Sequence, residues 1–118
     1  ILIKLKMELL ITASQVIIAT SIVIVWVFRF DNIIQEFEHF GLPTLIRSAV
    51  GAAKISLATL LVAGIWYSEL ILISASGIAF LMVCALFAHF SVRNPLPKYL
   101  PAFALLSLCV FLVVNKMP

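Results

Sequence analysis

Residues 51–64 read GAAKISLATLLVAG, an apolar run interrupted by one lysine, Lys54. Taken back to Leu45, the run reaches about 20 residues, the length an α-helix needs to cross the ~30 Å hydrocarbon core of a bilayer. Backbone polar groups find no water in hydrocarbon, so a spanning segment is either a helix or part of a closed barrel. The chain has no segments of strictly alternating hydrophobicity, which excludes the barrel. This stretch therefore reads as a transmembrane helix carrying a charge near its middle.

Three further segments have the same character, giving expected spans at about 7–28, 45–64, 70–90 and 98–114. Hydrophobic residues make up 64% of the 118 residues and charged residues 11%. A soluble domain is nearer half apolar and a quarter charged, and so small a chain cannot hide the surplus in its own core. The expected fold is an all-α membrane protein, a four-transmembrane-helix bundle forming a single transmembrane domain over residues 1–118. Its first expected partner is the lipid bilayer. The net charge of +3 is scattered among apolar runs and forms no patch, so nucleic acid is not an expected partner. No small-residue cleavage site follows the first apolar run, so no cleaved signal peptide is expected there. The chain begins at Ile1, which leaves open whether residues precede it.

Between the first two spans, FDNIIQEFEHFGLP (residues 30–43) sets Phe30, Ile33, Ile34, Phe37 and Phe40 at helical spacing. Asp31 or Asn32 suits an N-cap. Gly41 suits the C-terminus, and Pro43 blocks continuation. A short amphipathic helix at the membrane interface is expected here. In the run RNPLPKYLPAF, Pro101 falls in the first turn of the fourth span, where a proline loses no intrahelical bond.

An even number of spans puts both termini on one side, here called side A. Lys4, Lys6 and Lys116 lie on it, against Arg29, Arg47, Arg93 and Lys98 on side B. This count is nearly balanced, but the first helix often dominates and Lys4 and Lys6 precede it. Side A is therefore expected to be cytoplasmic.

Lys54 lies about ten residues from the side-B end of its helix, roughly 15 Å deep. A lysine at mid-bilayer costs on the order of 2.5–3.5 kcal/mol and is expected to face the bundle interior or a wet cavity. Arg47, Gly51, Lys54, Ala58 and Leu61 share one stripe of the helix. Ser48, Ala52, Ser56, Thr59 and Ala63 form a neighbouring stripe of small residues, which suits close helix packing. No carboxylate lies deep in any span. The lysine is thus either neutral, or charged and bonded to carbonyls, to Gln15 or to the oxygens of a ligand. Gln15 is placed near the same depth on the first helix, on a stripe with Trp26. His89 closes the third span on side B, near Arg47, Arg93, Lys98, His39, Glu36 and Glu38. The expected ligand- or partner-binding set is Lys54, Gln15, His89, Arg47 and Trp26, around a polar cavity open toward side B.

No catalytic residue is assigned, because there is no Gly-rich phosphate loop, nucleophile elbow or Ser/His/Asp set. One Glu-x-x-His, Glu36 with His39, falls short of the paired copies that di-iron bundles use, so no metal site is expected. Cys84 and Cys109 match no metal or redox spacing and read as buried apolar cysteines.

Several short motifs together resemble the DoxX-like family of small four-helix membrane proteins. FEHFGLP leads into IRSAVGAAKISLATLL, and FAHFSVRNPLPKYLPAFALL follows the third span. The family-like positions are Phe37, Gly41, Pro43, Gly51, Lys54, His89, Asn94 and Pro95, within about residues 30–115. The chain differs where it has Asn94, since relatives often carry Asp there, and at Lys54, where many carry Glu. The first helix also lacks a glycine near its end. The resemblance implies a bacterial inner-membrane setting and an association with redox systems in which quinone is an acceptor.

The leading expectation for function is a non-catalytic subunit or assembly factor of a membrane complex, with a redox link implied by the resemblance, a membrane or redox protein as partner and a homodimer through small-residue faces. The alternative is binding of a quinone-like ligand. Lys54, Gln15 and His89 would then meet its oxygens, and Lys54 would supply a proton or stabilise an oxyanion. A small transporter working as an oligomer is the further alternative.

Overall fold

The computed structural model describes residues 1–117 and contains five α-helices and no strand among them. Helix α1 spans Leu2–Val23 and runs on through a π-helical turn, Ile24–Phe28. Helix α2 spans Phe30–Phe40, α3 Thr44–Ala63 and α4 Glu69–Ser91. A 3₁₀ turn at Leu96–Tyr99 leads into α5, Leu100–Lys116. Four stretches are long and apolar enough to cross a membrane: Leu2–Phe28, Thr44–Ala63, Glu69–Ser91 and Leu96–Lys116. The molecule is 50 Å long and 25 Å across, ample for a ~30 Å hydrocarbon core.

The long helices form a ring in chain order, with α1 against α3 and α5, and α4 against α3 and α5. The core runs through Ile18, Ile22, Leu61, Ile78 and Leu112. Phe80, Phe87 and Phe90 point outward, each more than two-thirds exposed, as a lipid-facing surface requires. Four of the hydroxyls within the helices pair locally. Ser14, Ser74, Thr59 and Ser107 each donate to the carbonyl four residues earlier, at 2.7–2.9 Å, so none enters the bilayer unpaired.

Helix α2 forms where the amphipathic pattern places it, but it is not capped by Asp31 or Asn32. Arg29 holds the N-cap position, and both residues lie inside the first turn. Asp31 there complements the helix dipole, and Asn32 donates to Glu36 Oε1 at 3.3 Å. The helix closes in a Schellman turn, in which Leu42 N–H donates to the Phe37 carbonyl and Gly41 N–H to that of Glu38. Gly41 takes φ 74°, which a side chain tolerates poorly. Rather than lying apart from the bundle, α2 folds over its side-B end. Ile33 is buried, and Phe37 meets Trp26 edge-on at 5.8 Å.

The π turn was not anticipated. It is marked by the bond from Arg29 N–H to the Ile24 carbonyl at 3.1 Å and falls in SIVIVWVF, a β-branched run with weak helix preference. It carries Trp26 into the core and redirects the chain into α2. The small-residue stripe of α3 is also placed differently from expectation, since Ser48, Ala52, Ser56 and Thr59 face outward. Of the cysteines, Cys109 is buried but Cys84 is exposed.

Candidate functional site

A cavity of about 400 Å³ occupies the side-B half of the bundle. Its walls are largely apolar, with Ile22, Val25, Trp26, Val50, Met82 and Leu105 among them. Helix α2 covers its end through Ile33, Glu36, Phe37 and Phe40. Arg29, Leu42, Lys98 and Pro101 are lining residues that are themselves exposed, and they mark the mouth at side B.

Gly51 sets the inner wall. A Cβ at this position would meet Trp26 Cζ3 at 2.7 Å and Cε3 at 2.9 Å, so only glycine lets the indole lie against α3. Lys54 follows one turn later, and its Nζ sits 5.4 Å from the Trp26 ring centroid. A cation over an indole face is attracted by the ring quadrupole. Among the described residues Nζ has no hydrogen-bond or ion-pair partner. None of their buried side-chain nitrogens or oxygens lacks a partner, so Nζ is reachable from the cavity that Lys54 lines. Gly51, Ala58 and Leu61 of its stripe are buried, while Arg47 is only partly so.

His89 lines the same cavity near its mouth and is 7% exposed. Its ring stacks on Tyr99 at 5.7 Å and meets the edge of Phe40 at 5.2 Å. Asn94 bridges the two histidines, with Nδ2 2.7 Å from His89 Nδ1 and Oδ1 3.1 Å from His39 Nε2. The cavity therefore brings together Lys54, Trp26 and His89 from three helices, along with Arg29, Glu36 and Lys98.

Gln15 and Arg47 are not brought to it. Gln15 is 1% exposed and donates from Nε2 to the Leu61 carbonyl at 2.9 Å. That carbonyl lies in the last turn of α3, where the Ile65 N–H turns to Val62 instead. Gln15 therefore closes the side-A end of α3. It does not lie at the depth of Lys54, because α1 starts at Leu2 and its first nine residues, Leu2–Leu10, are exposed beyond the bundle. The level assigned from the apolar run alone was displaced by this offset. Arg47 extends over the Phe30 ring, 5.5 Å from its centroid, which turns it toward α2.

Asn94 and Tyr99 were not among the expected site residues. The one signal for Asn94 in the sequence was its departure from the Asp that relatives often carry there. No group of three or more His, Cys, Asp or Glu residues that could hold a metal occurs among the described residues.

A family model described as the DoxX-like family matches residues 10–112. Neither a curated protein nor a solved structure matches the chain.

Proposed function

The chain belongs to the DoxX-like family, and from that premise we propose that it is a membrane protein that holds a quinone-like molecule in the side-B cavity. The observation that carries this reading is Lys54, a mid-span lysine that has no hydrogen-bond or ion-pair partner among the described residues and faces the Trp26 ring at 5.4 Å, with the Glu36 carboxylate elsewhere on the same cavity wall. A lysine at this depth is costly, and a bound oxygen acceptor would offset that cost. Trp26 and Phe37 supply flat apolar surface for a ring. The ~400 Å³ volume is within the usual range for small-molecule pockets. Lys54 and His89 supply polar contacts from two sides.

Trp26 allows a direct test. With Trp66→Phe as background, its fluorescence reports on the cavity alone. Decylubiquinone titrated into proteoliposomes should quench this emission saturably, and should do so far less with Lys54→Met. Linear, unsaturable quenching in both forms would remove the reading.

A second reading, a non-catalytic subunit or assembly factor of a membrane complex, draws support from the outward-facing Ser48, Ala52, Ser56 and Thr59. Small residues on an exposed helix face suit close approach of another helix. Crosslinking from a cysteine at position 52 would identify a protein neighbour or a second copy. The two readings are compatible, since a ligand-holding protein can serve within a larger redox assembly.

A further inference from the structure

The turn that ends α4 fixes a side-chain arrangement beyond the groups already assigned to the ligand. Arg93 N–H donates to the Phe90 carbonyl at 3.1 Å, and Asn94 N–H to the His89 carbonyl at 3.0 Å. These bonds form a Schellman turn with Arg93, at φ 55°, in the place glycine usually takes. The residue after such a turn folds back over the helix. Here that residue is Asn94, and it returns onto His89.

The orientation of the Asn94 amide then sets where the His89 proton lies. The amide nitrogen of Asn94 can only donate, so its 2.7 Å contact requires a lone pair on His89 Nδ1. The amide oxygen can only accept, so His39 donates its Nε2–H across 3.1 Å. With the amide oriented as in the structure, the two contacts run one way, from His39 through Asn94 to His89; the opposite amide orientation would reverse both together. With Nδ1 accepting, the neutral ring of His89 carries its proton on Nε2. That nitrogen has no partner among the described residues, and none of their buried nitrogens is unpartnered. Nε2 is therefore open to the cavity. Tyr99 and Phe40 hold the ring plane.

We propose that Asn94 is a positioning residue that sets the tautomer of His89, making His89 an N–H donor to an oxygen acceptor in the cavity. The ligand role rests on the reading of the cavity as a quinone-like site; the tautomer does not. The matching occupant is one with a carbonyl or comparable acceptor oxygen on the His89 side, while Lys54 serves the deeper end. A carboxylate at position 94 would reverse the pattern. It accepts only, so it would draw the proton to Nδ1 and leave Nε2 a bare acceptor, or it would hold the ring doubly protonated.

The test is nitrogen NMR of the full chain in nanodiscs with histidine labelled. The sequence has only two histidines, and His39→Gln assigns their signals. The expected result in the native chain is a bare Nδ1 and a protonated Nε2 on His89, with Asn94→Asp moving a proton to Nδ1. A protonated Nδ1 in the native chain overturns the proposal without any variant, as does a His89 spectrum indifferent to Asn94→Asp. Decylubiquinone added to the same samples should shift the Nε2–H signal and, where the Asn94→Asp spectrum shows a bare Nε2, bind that variant about tenfold more weakly, the order of one hydrogen bond in an apolar site; a doubly protonated ring keeps the donor and should keep the affinity. If the quinone binds neither form while the tautomer stands, the ligand reading fails and the assignment to Asn94 survives.

Discussion

Lys54 sets its Nζ above the Trp26 ring, 5.4 Å from the centroid, with no protein oxygen bonded to it among the described residues. The magnitudes indicate what this pair does. A mid-bilayer lysine costs about 2.5–3.5 kcal/mol, while a cation–π contact returns about 0.5–2 kcal/mol. The ring alone does not offset the cost, and Glu36, on the same cavity wall, makes no ion pair with Lys54, so the lysine is a net burden to the fold. Lys54→Met should raise the thermal midpoint in nanodiscs, by the equivalent of about 1 kcal/mol, while abolishing saturable quinone binding. A lysine kept only for packing would show the reverse, a loss of stability.

Gly51 is required by the indole. Gly51→Ala brings a Cβ to 2.7 Å from Trp26 Cζ3, which forces the ring out of its seat. The expected cost is about 1–3 kcal/mol. In a Trp66→Phe background, a shift in Trp26 emission should accompany the lower thermal midpoint.

Gln15 satisfies a carbonyl on another helix. Gln15→Leu leaves the Leu61 oxygen without its 2.9 Å donor in a dry interior. The expected cost is about 1–3 kcal/mol, with saturable binding of decylubiquinone retained by the folded fraction. Thermal unfolding and the quenching titration on one preparation would check both parts.

Arg93 adopts φ 55° in the α4 turn. An L-residue with a Cβ is strained there by about 1–2 kcal/mol. Arg93→Gly should therefore stabilise the protein by on the order of 1 kcal/mol in denaturant unfolding and leave the His89 tautomer unchanged, because the turn itself is preserved.

The spans were legible because length and apolarity alone decide them. The buried side of α3 was legible too, since Gly51, Ala58 and Leu61 share a stripe with Lys54. The level of Gln15 was not, because the apolar run of α1 extends past the bundle and nothing in it marks the register against α3. Arg47 was placed with Lys54 by spacing, but Phe30 holds it through a contact that needs α2 in position. The π turn was hidden because β-branched runs suit ordinary membrane helices equally well. Asn94 stood out only as a departure from the residue common in relatives. Its link to both histidines depends on a backbone turn that Arg93 does not advertise.

Mass spectrometry of the protein extracted gently from its native membrane tests the central claim most directly. Wild type and Lys54→Met would be compared for bound small molecules and proteins together. The account predicts close to one quinone per chain in the wild type and its loss in the variant. A wild-type protein that carries no quinone, or a quinone retained equally by both forms, would contradict it.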